Sequence, residues 1–256
     1  MKIIHHLTAA LALAGIPDAA VAADSAADLA SRLSAQRDGA SDVRLRMEVE
    51  QPSGTKKAIF QIQIKERRTR TSADVAYVIL WPKERKGEAL LVRQNAGGEA
   101  TAAHFVPGKK SLEPLTPDQA VFGSDLAIAD TIENFFAWKN QEIVGSEIVN
   151  RVNCQILESK PGAGDSSIYG RVRSWVDPRR MVLLRVEKYL PSGALARRIV
   201  TTRVVPEAGR GNLPADLVVQ AAEKNSLTRL DGSRIRRDVK FSDRDFSPER
   251  SGVLPE

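Results

Sequence analysis

Few residues in this chain are of a type and spacing that could do chemistry. Asp125 with Asp130, and Glu147 with Glu158, are carboxylate pairs that could share general acid–base work. The first pair, however, opens an apolar helical pattern, where acidic side chains suit the positive helix end. The second pair falls in alternating, strand-like runs. The chain has three histidines, and His104 is the one outside the N-terminal leader that holds His5 and His6. A Ser-His-Asp relay or a histidine metal cluster needs partners that His104 lacks, so it reads as a residue of the strand-like run Thr101–Val106. Cys154 is the single cysteine, which excludes a disulfide within the chain. In the alternating run Val152–Glu158 it reads as a small core residue. This inventory points away from an enzyme and calls for no cofactor and no metal.

The most informative element is Phe122-Gly123-Ser124-Asp125-Leu126 running on into Ala127–Trp138. Gly123, Ser124 and Asp125 read as a turn and helix start, with Ser124 or Asp125 accepting the first free backbone N–H groups. Ile128, Ile132, Phe135 and Phe136 follow at helical spacing and predict one apolar stripe. A lone apolar helix in a strand-rich chain either plugs the core or lies over a cavity as a lid.

Residues 1–22 read as a secretory signal peptide, from Lys2, the apolar run Leu7–Ile16 and the small-x-small site Ala20-Val21-Ala22. That run is too short to span a membrane, and no cysteine follows it for lipid attachment. The expectation is a soluble periplasmic protein of one domain, residues 23–256. Removing the leader takes away Lys2 and Asp18, so the formal net charge stays at +6. The basic residues alternate along strands among acidic ones, the pattern of a solvated sheet face rather than of a nucleic-acid site.

A first amphipathic helix is expected over Ser25–Gln36, with Leu29 and Leu33 on its apolar face. The period then changes to two. Val43, Leu45, Met47 and Val49 alternate with charged residues, and Phe60, Ile62 and Ile64 with glutamines. Further strands are expected at Tyr77–Trp81, Ala89–Arg93, Thr101–Val106, Glu142–Val149, Arg151–Glu158, Ile168–Val176, Met181–Leu190 and Leu195–Val205. Two more, Leu217–Ala222 and Arg234–Phe241, flank a hairpin-like Leu230-Asp231-Gly232-Ser233. The reading is mainly β with few helices, about eleven strands joined by short turns. Such strands pair antiparallel, and a sheet that long curls.

Tyr77-Val78-Ile79-Leu80-Trp81-Pro82 followed by Lys86-Gly87-Glu88-Ala89-Leu90-Leu91 resembles the opening of LolA-like outer-membrane lipoprotein-sorting proteins. The nearest likeness is a diverged branch related to an uncharacterised treponemal protein. Phe122–Leu126 with Asp130 is similar to that branch's helix start. Gly145, Glu147, Cys154, Leu157-Glu158, Tyr169, Trp175-Val176-Asp177, Leu184–Gly193, Leu213-Pro214 and Asp245-Phe246-Ser247 follow in the family's order. Leu126-Ala127-Ile128 departs from the branch, which usually has an aromatic there.

The resemblance implies a LolA/LolB-like unclosed antiparallel β-barrel with helices across its mouth and an apolar interior that accepts acyl chains. The expected function is a monomeric carrier of a lipoprotein or lipid, working with an inner-membrane transporter or lipoprotein-release complex. On that reading Leu45, Met47, Phe60, Ile62 and Ile64 line the cavity, and Leu29, Leu33, Ile128, Ile132, Phe135 and Phe136 close it. A periplasmic adaptor or sensor of the same fold, binding a transporter or signalling partner, is the alternative.

Overall fold

A computed structural model describes residues 25–50, 57–69, 71–95, 100–109, 111–207 and 209–247; the signal-peptide reading of residues 1–22 lies outside them. Helix α1 (Ala26–Ala35) opens the described chain, with Ser25 accepting the Asp28 N–H at its start and Leu29, Ala30 and Leu33 buried. Strands β1 (Gly39–Glu50), β2 (Lys57–Arg68), β3 (Ala73–Trp81), β4 (Ala89–Gln94), β5 (Ala100–Phe105) and β6 (Glu113–Leu115) form a meander. Helix α2 (Ile128–Ile132) follows, and then seven strands: β7 (Asn140–Val149), β8 (Val152–Lys160), β9 (Arg171–Asp177), β10 (Val182–Tyr189), β11 (Leu195–Glu207), β12 (Gly211–Ala221) and β13 (Leu227–Arg237).

All thirteen strands belong to one antiparallel sheet in the order β6-β5-β4-β3-β2-β1-β13-β12-β11-β10-β9-β8-β7. Pairing of β1 with β13 joins the two meanders in the middle, and among the described residues β6 and β7 are the unpaired edges. The sheet is therefore open, not closed into a barrel. The segment 116–139, which carries α2, is the connection that runs from one free edge to the other.

The strand period sorts side chains to two faces. Leu45, Met47 and Val49 of β1 and Phe60 and Ile62 of β2 point to the face that the helices cover and pack with Val75, Ile79, Leu90 and Val92. Leu157, Val172, Val176 and Val186 form the matching apolar surface of the second meander.

Three features differ from the sequence reading. The apolar helix over Ala127–Trp138 is broken: α2 ends at Ile132, Glu133 and Asn134 are extended or irregular, and a 3-10 turn spans Phe135–Ala137. The break arises because Glu133 and Asn134 bond to distant partners instead of continuing the helix (below). The helix start also moves. Neither Ser124 nor Asp125 caps α2; Ala127 is its N-cap residue, and Asp130 accepts the Ala127 N–H at 2.7 Å. Finally, Leu230–Ser233 is not a hairpin but part of β13. A bulge falls there, because Arg44 pairs with Arg234 while Leu45 pairs with Gly232. A side chain at Gly232 would meet the Ala215 carbonyl oxygen at 2.6 Å, so the glycine marks close backbone approach. The added strands come partly from β6, in a stretch that reads as loop.

Candidate functional site

The crossing segment 116–139 covers the inner face of the sheet, and its two halves pack on different meanders. Val121, Phe122, Ile128 and Ile132 join Met47, Phe60 and Ile62 in one buried cluster. Phe135, Phe136 and Trp138 join Leu29 and Leu33 of α1 over Leu157 and Val172 in another. The expected single stripe is thus split in two, since the break at Glu133 and Asn134 rotates the second half toward α1.

Polar side chains tie this segment down. Asp125 is fully buried: it accepts from Ser226 Oγ and Thr228 Oγ1, each at 2.6 Å, and its own N–H donates to Thr228. Its role is to pin the loop to β13. Asp130 is the centre of a second group. Its carboxylate accepts from Tyr169 OH and Lys188 Nζ, both at 2.7 Å, with Arg197 Nε 3.5 Å away, and the Asp130 and Lys188 side chains are almost wholly buried. Lys188 also faces the rings of Tyr169 and Phe135 at 4.9 and 5.4 Å. A lid residue of the first half is thereby tied to strands of the second.

Two arginines hold the lid backbone. Arg68, at the end of β2, donates to the carbonyls of Ile132 (2.9 Å) and Thr131, and to Glu66. Arg37, just after α1, donates to the Glu133 carbonyl at 2.8 Å. These are carbonyls that α2 leaves free at its C-terminal end. Burial, and then the neighbouring Arg37, pushes the Arg68 guanidinium down to about 9, and burial also lowers Arg37. Asn134 donates to Ser34 Oγ at 2.8 Å. The Glu133 carboxyl accepts from Ser167 Oγ at 2.9 and 3.0 Å, and burial raises it to about 7 despite the opposing pull of Lys188.

Two cavities flank the arginine pair, and both are lined in part by Arg37 and Arg68. The first, of about 570 Å³, is bordered by Ile128, Ile132, Glu133 and Trp138 and by the strand ends at Ser72 and Gln94. The second, of about 790 Å³, lies between α1, Phe136 and the sheet residues Val43, Ile64, Leu183 and Leu217. Both are within the size range of small-molecule sites. Of the residues expected to line or close a cavity, Ile128 and Ile132 border the first, and Leu33, Ile64 and Phe136 the second. Leu29, Leu45, Met47, Phe60, Ile62 and Phe135 pack in the apolar clusters and border neither. Gly123, Ser124 and Asp125 border neither and serve the loop anchor.

Sequence reasoning missed Arg37, Arg68, Lys188 and Glu133. For two of these a signal was present: Arg68 continues the inward phase of Phe60, Ile62 and Ile64, and Lys188 that of Val186. A long charged side chain in phase with core residues is a candidate for a buried polar role.

The open antiparallel sheet roofed by an edge-to-edge crossing segment is a fold that known structures share. A DUF1329 family protein from Desulfovibrio piger is similar with a TM-score of 0.79 at 21% identity, over 90% of this chain and 98% of that one. A putative outer membrane lipoprotein-sorting protein domain from Vibrio parahaemolyticus gives 0.77 at 17%, over 88% and 98%. A LolA superfamily protein from Nitrosomonas europaea gives 0.71 at 18%, over 88% and 98%. A family model described as "uncharacterized protein" matches residues 72–250, and the chain belongs to that family. No curated protein matches the sequence.

Proposed function

We propose that this chain is a periplasmic carrier that binds acyl chains of a lipid or lipoprotein non-covalently and helps sort them to the outer membrane. The observation that carries the reading is the crossing segment, which borders two cavities and is fastened by the hydrogen bonds of Arg37 and Arg68 to its backbone carbonyls. Each buried CH₂ contributes about 0.8 kcal/mol, so one acyl chain supplies ample driving force. Among the described residues no helix is long and apolar enough to cross a membrane. On this reading the protein works as a monomer and receives or delivers cargo at an inner-membrane transporter or lipoprotein-release complex.

Mass spectrometry of protein purified from its exporting cell tests the proposal. It should find stoichiometric lipid, and Ile132→Asp should lose that lipid while keeping the β-sheet circular dichroism. Lipid-free protein, or lipid retained by the variant, would overturn it.

One observation favours the adaptor reading. Edge strand β7 is paired on one side alone and exposes Ile148 (72%) and Val144 (39%), a surface on which a partner strand could add. A lipid-free protein that captures one membrane partner would decide for it.

A further inference from the structure

The second cavity differs from a plain acyl slot in its charge. Five arginines border it, Arg32, Arg37, Arg68, Arg210 and Arg237, against three carboxylates. Each of those carboxylates has its own cation. Glu66 takes Arg68, Glu207 takes Arg237 at 3.0 Å, and Asp130 takes Lys188 from outside the lining. The lining therefore holds five guanidiniums to three carboxylates, with Lys188 and Asp238 each pairing with it from outside, beside apolar walls of Leu33, Ile64, Leu183 and Leu217.

The arginines lie at two depths. Arg37 and Arg68 are at the inner wall, where burial lowers the proton affinity of both and the neighbouring Arg37 adds to it at Arg68. Arg210 and Arg237 stand at the outer end, where the β11–β12 turn meets the end of β13. Arg210 is held by Asp238, a pair that is 42% and 75% exposed. Such a pair is worth little, so Arg210 can exchange this carboxylate for another anion without large loss. Planar guanidiniums suit carboxylate and phosphate oxygens, which they can grip with two parallel hydrogen bonds.

We infer that this cavity takes an amphiphile with an anionic head, a carboxylate or a phosphate, its head at the arginine-lined outer end and its chain along Leu33, Ile64, Leu183 and Leu217. The inference rests on the carrier reading and sharpens it, because a neutral acyl group would gain nothing from the arginines. Both head chemistries are met in membranes, as free fatty acid and as phospholipid.

The test is displacement of a fluorescent fatty acid from delipidated full-length protein by single-chain ligands of equal length. These are palmitate, palmitoyl lysophosphatidate, monopalmitoylglycerol and hexadecyltrimethylammonium. One or both anionic ligands should bind about tenfold or more tightly than the neutral one, and the cation should bind least. Which anion binds better identifies the carboxylate or the phosphate as the natural head. Arg210→Glu should weaken the anionic ligands about tenfold and leave monopalmitoylglycerol unchanged; Arg210 is exposed, and circular dichroism checks that the variant keeps its fold. Equal affinity for neutral and anionic ligands would overturn this inference and leave the carrier reading intact. A uniform loss across all ligands in Arg210→Glu would do the same. Binding of none of the four would overturn both.

Discussion

Glu133 sits where the lid breaks, and its titration should be readable as stability. Glu133 is 8% exposed, and its carboxyl is bonded to Ser167 and raised from 4.5 to about 7, chiefly by burial. Around it lie Arg37 on its carbonyl and the Lys188–Asp130 pair, whose charges pull in opposite directions. The folded protein thus keeps a proton that the unfolded chain releases. Stability from this group is full below about pH 4.5 and is lost as pH rises through 7. The loss amounts to about 3 kcal/mol by pH 8, from roughly 1.4 kcal/mol per pKa unit. Glu133→Gln keeps an acceptor for Ser167 and removes the charge. At pH 8 the variant should be more stable by about 3 kcal/mol, and at pH 5 by less than about 1. For a domain of this size that difference is roughly 5–10 °C in Tm. Thermal denaturation of both proteins from pH 5 to pH 8 by circular dichroism measures it. Parallel curves, with a Tm gap that does not widen on raising the pH, would refute the assignment of this carboxyl as a buried, proton-holding group.

Three further outcomes follow from the same geometry. Asp130→Asn should cost about 3–5 kcal/mol in urea unfolding, because Lys188 and Arg197 lose their buried counter-charge; a cost near zero would mean the pair is not buried as described. Arg68→Met leaves the Thr131 and Ile132 carbonyls without their donor, and amide hydrogen exchange in α2 and the following turn should speed up well before the sheet's does. Gly232→Ala places a Cβ against the Ala215 carbonyl oxygen and should destabilise by about 1–3 kcal/mol, while a hairpin turn at this site would tolerate the change with little loss.

The sheet was legible because alternation is a local property. β1 and β2 follow directly from Val43–Val49 and Phe60–Ile64, and short turns dictate antiparallel neighbours. What local pattern conceals is which residues meet across the fold. Ile128, Ile132, Phe135 and Phe136 keep helical spacing, yet the helix stops at Ile132. The side chains that stop it bond to Ser34 and Ser167, far away in sequence. Asp125 has the composition of a helix cap, but Thr228 and Ser226 claim it. Leu-Asp-Gly-Ser has turn composition, and only the neighbouring strand shows that its glycine relieves a backbone contact inside β13. Arg68 was hidden for a related reason: a basic residue near a strand end reads as solvated until its inward phase is noticed.

The way the lid is fastened bears on how a carrier would release its load. Ile128 and Ile132 belong to one apolar cluster, Phe135 and Phe136 to the other, and the break at Glu133–Asn134 lies between them. Exposing these four side chains would cost roughly 6–12 kcal/mol at 1.5–3 kcal/mol each, too much for spontaneous opening. A sixteen-carbon chain that takes their place regains on the order of 12 kcal/mol at about 0.8 per CH₂. On the carrier reading, cargo and lid would therefore compete for the same sheet surface on nearly equal terms, and neither state would be a deep trap. The balance then falls to polar contacts that water or an anionic head can replace. Arg37 and Arg68 hold only backbone carbonyls of the lid, which lose little when solvated. Asp125 and Asp130 are the exceptions, the first pinned to Ser226 and Thr228 and the second crossing to β10 through a buried Lys188. On the carrier reading, that asymmetry would leave the first half of the segment as the fixed side and Phe135–Trp138 with α1 as the side that yields, with Phe136 bordering the arginine-lined cavity.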